Sequence, residues 1–183
     1  MTSIETDILI RCQNGDKEAF RRVVVTHQRM IFSLALKMLA DEAEAEDVVQ
    51  ETFIRVWQNF GRYNPQLKFS TWLYSIASRL CIDRLKKMRR IVALPDDELV
   101  LQRFASDADS HTVLENKEWV ALVRLLADEL STKQKLVFTL CQLEGLSSAE
   151  VEQITGVDAK QIKSNLFAAR QTVRKRLKEL GYE

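Results

Sequence analysis

The stretch SSAEVEQITGVDAKQIKSNLFAAR, residues 147–170, decides the reading of this chain. Ser147 and Glu150 have the spacing of a capping box, in which each side chain satisfies the other's backbone N–H at a helix start. They open a short helix over Ala149–Thr155, with Val151 and Ile154 on its apolar face. Gly156 follows at a tight turn, where a positive φ is needed and a Cβ is unfavourable. Asp158 is placed to cap a second helix to about Leu180. Ile162, Leu166, Ala169, Val173, Leu177 and Leu180 lie along one stripe of it. This is the pattern of a helix-turn-helix. The second helix leaves Lys160, Gln161, Lys163, Ser164, Asn165, Phe167 and Arg170 on its exposed faces. Lys, Gln, Ser and Asn supply the donors and acceptors that read base edges in a major groove. Arg174, Lys175, Arg176 and Lys178, further along, suit phosphates. A helical corner with a solvated basic face would carry the same charges. The capping box, Gly156 and the helix chemistry together favour DNA.

Working outward, the 183 residues hold only five Gly and two Pro, so strand punctuation is scarce and the chain reads as all-α. Residues 4–14 form a short helix, and Asn14-Gly15-Asp16 breaks it, with Asp16 as a cap. The next helix runs to about Leu39 on Phe20, Val23, Val24, Ile31, Leu34, Ala35, Met38 and Leu39. Asp41 caps a third through about Phe60, Gly61–Gln66 is a break, and Thr71–Arg90 is helical again. Residues 91–112 turn acidic and small and read as a linker. Thr112–Leu130 is a further helix, and Ser131 or Thr132 caps one through Leu143, ended by Gly145. The architecture is two small helical domains, 1–90 and 113–183, joined by the acidic linker.

Net charge is only +1, but it is blocked: residues 61–90 carry net +7 and residues 158–183 carry net +4, with acidic segments between. Charge alone does not separate two contacts with one polyanion from two solvated faces. In the first block, bases interleave with aromatics around the loop Tyr63–Lys68, as a stacking platform for single-stranded DNA requires. Trp72 alone reads as core. The three cysteines are scattered and unaccompanied by histidine, so no metal site is expected, and they read as reduced thiols. No apolar run reaches a membrane span, and the N-terminus lacks the pattern of a signal peptide. No phosphate-cradling Gly loop or Ser/His/Asp arrangement suggests an enzyme, and no cofactor or small-molecule substrate is implied.

Four segments, in order, resemble the extracytoplasmic-function (ECF, group 4) sigma factors of bacterial RNA polymerase. Glu46–Trp57 (EDVVQETFIRVW) is similar to the helix that docks on core polymerase. Phe69–Ala77 (FSTWLYSIA), with Asp83-Arg84-Leu85 after it, is similar to the part that opens and reads the minus-10 element. Leu130–Phe138 through Ser147 resembles the start of region 4, and Gln161–Arg170 its recognition helix for the minus-35 element. The resemblance implies polymerase binding by Asp47, Gln50, Glu51, Ile54 and Trp57. It implies minus-10 contacts by Tyr63, Asn64, Lys68, Arg79, Arg84, Lys86 and Lys87, with a base flipped into the loop Tyr63–Lys68. It implies minus-35 contacts by Lys160, Gln161, Ser164 and Phe167 on bases and Lys163 and Arg170 on phosphates. The partners implied are core RNA polymerase, promoter DNA and an anti-sigma factor able to hold a cytoplasmic protein at the inner membrane. The chain departs from the family at Arg79, where Asn is usual. It departs also at Lys160-Gln161, where Gly-Thr is frequent, and at Asn165 and Ala168, where Arg is frequent. A stand-alone helix-turn-helix regulator is the alternative, and it needs neither the segment 46–57 nor the basic aromatic loop.

Overall fold

The computed structural model describes residues 3–92 and 129–179, and these contain helices and turns without strands. The first half is built from α1 (Ser3–Gln13), α2 (Lys17–Leu39), α3 (Glu42–Gln58) and α4 (Phe69–Val92), with a 3₁₀ turn over Phe60–Arg62. Gly15 turns the chain at φ +82°, and Asp16 caps α2 by accepting from the N–H groups of Glu18 and Ala19. Arg11 grips the same carboxylate with two N–H groups, at 2.9 and 2.7 Å, and ties α1 to that cap. Asp41 caps α3 through Glu44 N–H. Helix α3 stops at Gln58, two residues short of the expected Phe60, because Phe60 turns inward and is buried.

The apolar periodicity of α2 becomes the core. Ile31, Leu34, Ala35 and Met38 are fully buried against Val48 and Val56 of α3 and Leu73 of α4. Truncating any of these large side chains to alanine costs about 2–5 kcal/mol. Phe20 and Val24 lie at the margin of that core, half-buried.

The second half holds α5 (Thr132–Phe138), α6 (Ser148–Thr155) and α7 (Ala159–Glu179). Ser131 caps α5 in a capping box with Gln134. The helix expected through Leu143 does not stay α-helical. It widens to a π-helical turn over Thr139–Leu143, ended by Gly145 at φ +70°. The capping box Ser147–Glu150 is present on α6, and Gly156 ends that helix at φ +69°. Asp158 accepts from Gln161 N–H at 2.9 Å and caps α7.

The two halves share one apolar core. Leu136, Val137, Leu140, Val151 and Ile154 continue the cluster formed by α2 and α4, and α6 lies along α4. Most of the expected linker and most of the expected helix Thr112–Leu130 lie outside the described residues.

Candidate polymerase and nucleic-acid interfaces

Helix α7 buries Ile162 and Ala169 and half-buries Leu166, which turns its other faces outward. Lys160, Gln161, Lys163, Ser164, Phe167 and Arg170 are all exposed there. Phe167 is 65% exposed, among the largest apolar side chains left in water. Asn165 is taken up locally, since its amide donates to the Gln161 carbonyl at 2.8 Å. Arg170 donates to Gln142 at 3.2 Å, which fixes the reading face to the π-helical turn. Arg176, expected on phosphates, instead pairs with Glu129 at 3.3 Å and Glu179 at 2.9 Å.

Around the loop after α3 the structure corrects one expectation. Tyr63 does not present a ring for stacking. It is 5% exposed and packs among Phe60, Phe69 and Trp72, with centroids 5.2 Å from Phe69 and 5.3 Å from Trp72. Its hydroxyl donates to the Leu67 carbonyl at 2.8 Å, so Tyr63 shapes the loop from beneath. Burial pushes its phenol above the ordinary range. Asn64 accepts from Gln66 N–H at 3.0 Å and stays exposed, as do Leu67 and Lys68. Beside this loop lies a cavity of about 270 Å³ lined by Arg22, His27, Lys68, Phe69 and Ser70 among others. His27 Nδ1 faces the Val23 carbonyl at 2.9 Å and must carry the proton there. Nothing in the sequence marked Arg22 or His27, because only the packing of α2 against the start of α4 brings them to the loop.

Arg79, Lys86 and Lys87 are exposed on α4. Arg84, expected on a phosphate, is placed elsewhere. Its guanidinium hydrogen-bonds Glu44 and lies 3.5 Å from Asp47 and 3.5 Å from Glu51, all on α3. Burial opposes its charge, but Glu44 and Asp47 outweigh this and hold it above its ordinary pKa. The outward stripe of α3 is Asp47, Gln50, Glu51 and Ile54, spaced one helical turn apart. Ile54 is 55% exposed. Trp57 is half-buried, its ring 4.8 Å from that of Phe20, and Phe53 belongs to the core. Arg84 therefore holds the acidic part of this stripe from behind.

The described residues contain no group of three or more His, Cys, Asp or Glu that could hold a metal. The Cys12 and Cys81 thiols are pushed up by burial, to about 11 and about 12.

Two family models match the chain: Sigma-70 region 2 over residues 23–91 and Sigma-70 region 4 over residues 121–173. The chain is 29% identical to the ECF RNA polymerase sigma factor SigW of Bacillus subtilis, covering 92% of this chain and 94% of that protein. It is 27% identical to the RNA polymerase sigma-H factor of Pseudomonas aeruginosa, covering 96% and 95%. Among solved structures, CnrH in complex with the cytosolic domain of CnrY matches with a TM-score of 0.71 at 22% identity, over 94% of this chain and 96% of that one. Both halves, in this order and over nearly the full length, place the chain in the extracytoplasmic-function family of RNA polymerase sigma factors.

Proposed function

We propose the following division of labour for this sigma factor. Residues 1–90 bind core RNA polymerase and the minus-10 element, 91–112 link, and 113–183 bind the minus-35 element. The stripe Asp47, Gln50, Glu51 and Ile54, with the edge of Trp57, docks on polymerase. The observation that carries this is an apolar Ile54 left in water amid carboxylates on a helix whose opposite face is fully packed. Lys160, Gln161, Ser164 and Phe167 reach bases in duplex DNA, and Lys163 and Arg170 reach phosphates.

At the minus-10 element, Lys68 lines the base-sized cavity beside Phe69, Asn64 is exposed in the same loop, and Arg79, Lys86 and Lys87 track the backbone. Flipping a base costs a few kcal/mol. Stacking returns about 1–3 kcal/mol per base. The domain alone therefore opens only a short, favourable segment, and polymerase supplies the rest. Tyr63 and Arg84 position the loop and α3 respectively. The protein acts as a binding subunit without catalysis of its own. Among the described residues no helix is long and apolar enough to cross a membrane. We place the protein in the cytoplasm, with an anti-sigma factor as the partner that restrains it, at the inner membrane where that partner is membrane-bound.

Two substitutions test the assignment. Ile54→Asp is expected to abolish co-purification with core polymerase. Gln161→Ala is expected to cost about 1 kcal/mol or more at one base pair, five-fold or more in promoter preference, with polymerase binding unchanged. Intact polymerase binding by Ile54→Asp would remove α3 from the interface. Specific duplex binding with no polymerase binding by the unmodified chain would leave a stand-alone regulator.

A further inference from the structure

Glu144 ends the π-helical turn of the second half, yet every partner of its carboxylate lies in the first half. One oxygen accepts from Ser33 Oγ at 3.0 Å and Lys37 Nζ at 2.7 Å, and the other from the Tyr74 hydroxyl at 2.9 Å. Lys37 also donates to the Leu143 carbonyl at 3.2 Å. The Glu144 side chain is only 9% exposed. Burial, with the Glu144 charge and hydrogen bond added, pushes the Tyr74 phenol far above its ordinary range. The extra residue of the π turn aims both Leu143 and Glu144 at α2, a placement that π-helical turns often serve at functional positions.

A second bridge lies at the DNA-reading loop itself. Lys68 Nζ reaches Glu150 at 2.7 Å, and the same Glu150 accepts from Ser147 N–H at 3.0 Å as the cap of α6. A residue proposed to face the minus-10 strand is thus neutralised by the first helix of the helix-turn-helix. Arg89 adds a long contact to the Leu130 carbonyl at 3.4 Å.

This arrangement cannot span a promoter. The names of the two elements place them about 25 base pairs apart, or about 85 Å along duplex at 3.4 Å per step. Only ten residues separate Glu150 from Lys160. Even fully extended they would carry Lys160, the near end of the reading face, no more than about 36 Å from the loop-bound Glu150, and the helix from there to Arg170 adds about 15 Å. Meanwhile the stripe on α3 stays open to water, since Ile54 is exposed and takes no part in the bridges.

We infer that Glu144 is a self-inhibitory latch: held by Ser33, Lys37 and Tyr74, it keeps the free chain closed, and the two halves must part before both promoter elements are engaged. The functional consequence rests on the reading of the two DNA faces given above; the latch itself does not. Closure is accessible to polymerase docking, and opening frees Lys68.

The test uses the full chain, unmodified and as Glu144→Ala and Tyr74→Phe. The latter keeps charge and ring packing and removes only the hydroxyl. Small-angle scattering reads closure, and a fluorescent random-sequence single-stranded 12-mer reads the release of Lys68. The unmodified chain is expected near the compact limit of about 16 Å radius of gyration for its length. Glu144→Ala is expected to enlarge it by several ångströms and to tighten oligonucleotide binding three-fold or more. Tyr74→Phe is expected to move both in the same direction by less. Combining the two should add little to Glu144→Ala, because they break one network. An unmodified chain already expanded, or both variants as compact as the parent with unchanged oligonucleotide affinity, would overturn the latch. Neither readout involves polymerase, so the outcome is separate from the test of promoter recognition.

Discussion

Arg84 separates two accounts of the basic helix α4, one in which it holds a phosphate and one in which it holds α3. The change to make is Arg84→Ala. Its guanidinium is mostly shielded, at 23% exposure, whereas Glu44, Asp47 and Glu51 are 36%, 62% and 39% exposed. Partners this wet are screened, so each of the two 3.5 Å pairs contributes a few tenths of a kcal/mol. The Glu44 hydrogen bond, charge-assisted and half-sheltered, contributes about 1 kcal/mol. Lost packing of the Arg stem adds a little more. The total is about 1–2 kcal/mol, and at about 2–4 °C per kcal/mol for a chain of this size the melting temperature should fall by about 2–8 °C. Arg84→Lys should recover part of this, because a point charge cannot serve three carboxylates as a planar fork does. The assay pairs thermal unfolding by circular dichroism with a salt titration of single-stranded oligonucleotide binding. A lost phosphate contact lowers the salt slope by about 0.7. The positioning role predicts lower stability with an unchanged slope. Unchanged melting with a slope reduced by about 0.7 would refute it.

Two further outcomes follow from the geometry. Gly156→Ala places a Cβ at φ +69° with no atom within 4 Å of it, so the cost is backbone strain alone, about 1–2 kcal/mol by thermal melting, whereas Gly61→Ala, also without a close neighbour and at an ordinary φ, should stabilise by about 0.4–1 kcal/mol by restricting the unfolded chain. Glu150 is held down to about 2 from 4.5 by Lys68 first and Ser147 second. A lowered carboxylate stabilises the fold above its ordinary pKa and loses that contribution as pH falls toward the folded value. The melting-temperature gap between the parent and Glu150→Gln should therefore be full at pH 5 and close between about pH 4.5 and 2.

The sequence carried most of the local structure because the signals are local. Asp16, Asp41, Ser131, Ser147 and Asp158 each cap where their side chains can reach a nearby N–H, and Gly156 turns the chain where a positive φ is required. The six proposed minus-35 residues were readable because helical periodicity alone sorts exposed from buried on α7. What escaped was set by packing between distant segments. Tyr63 looked free in a polar loop, but Phe60, Phe69 and Trp72 enclose it. Arg84 looked like part of a basic run, but α3 brings three carboxylates to it. Glu144 lies 111 residues from Ser33 and 70 from Tyr74, so no spacing in the chain could have joined them. The π-helical turn that aims Glu144 has no sequence signature comparable to a capping box.

The most direct measurement is run-off transcription with purified core RNA polymerase, this protein and a panel of promoter fragments. The account predicts specific initiation that depends on the protein, is lost with Ile54→Asp, and changes promoter preference with Gln161→Ala. Absence of initiation together with failure to bind core polymerase would contradict it.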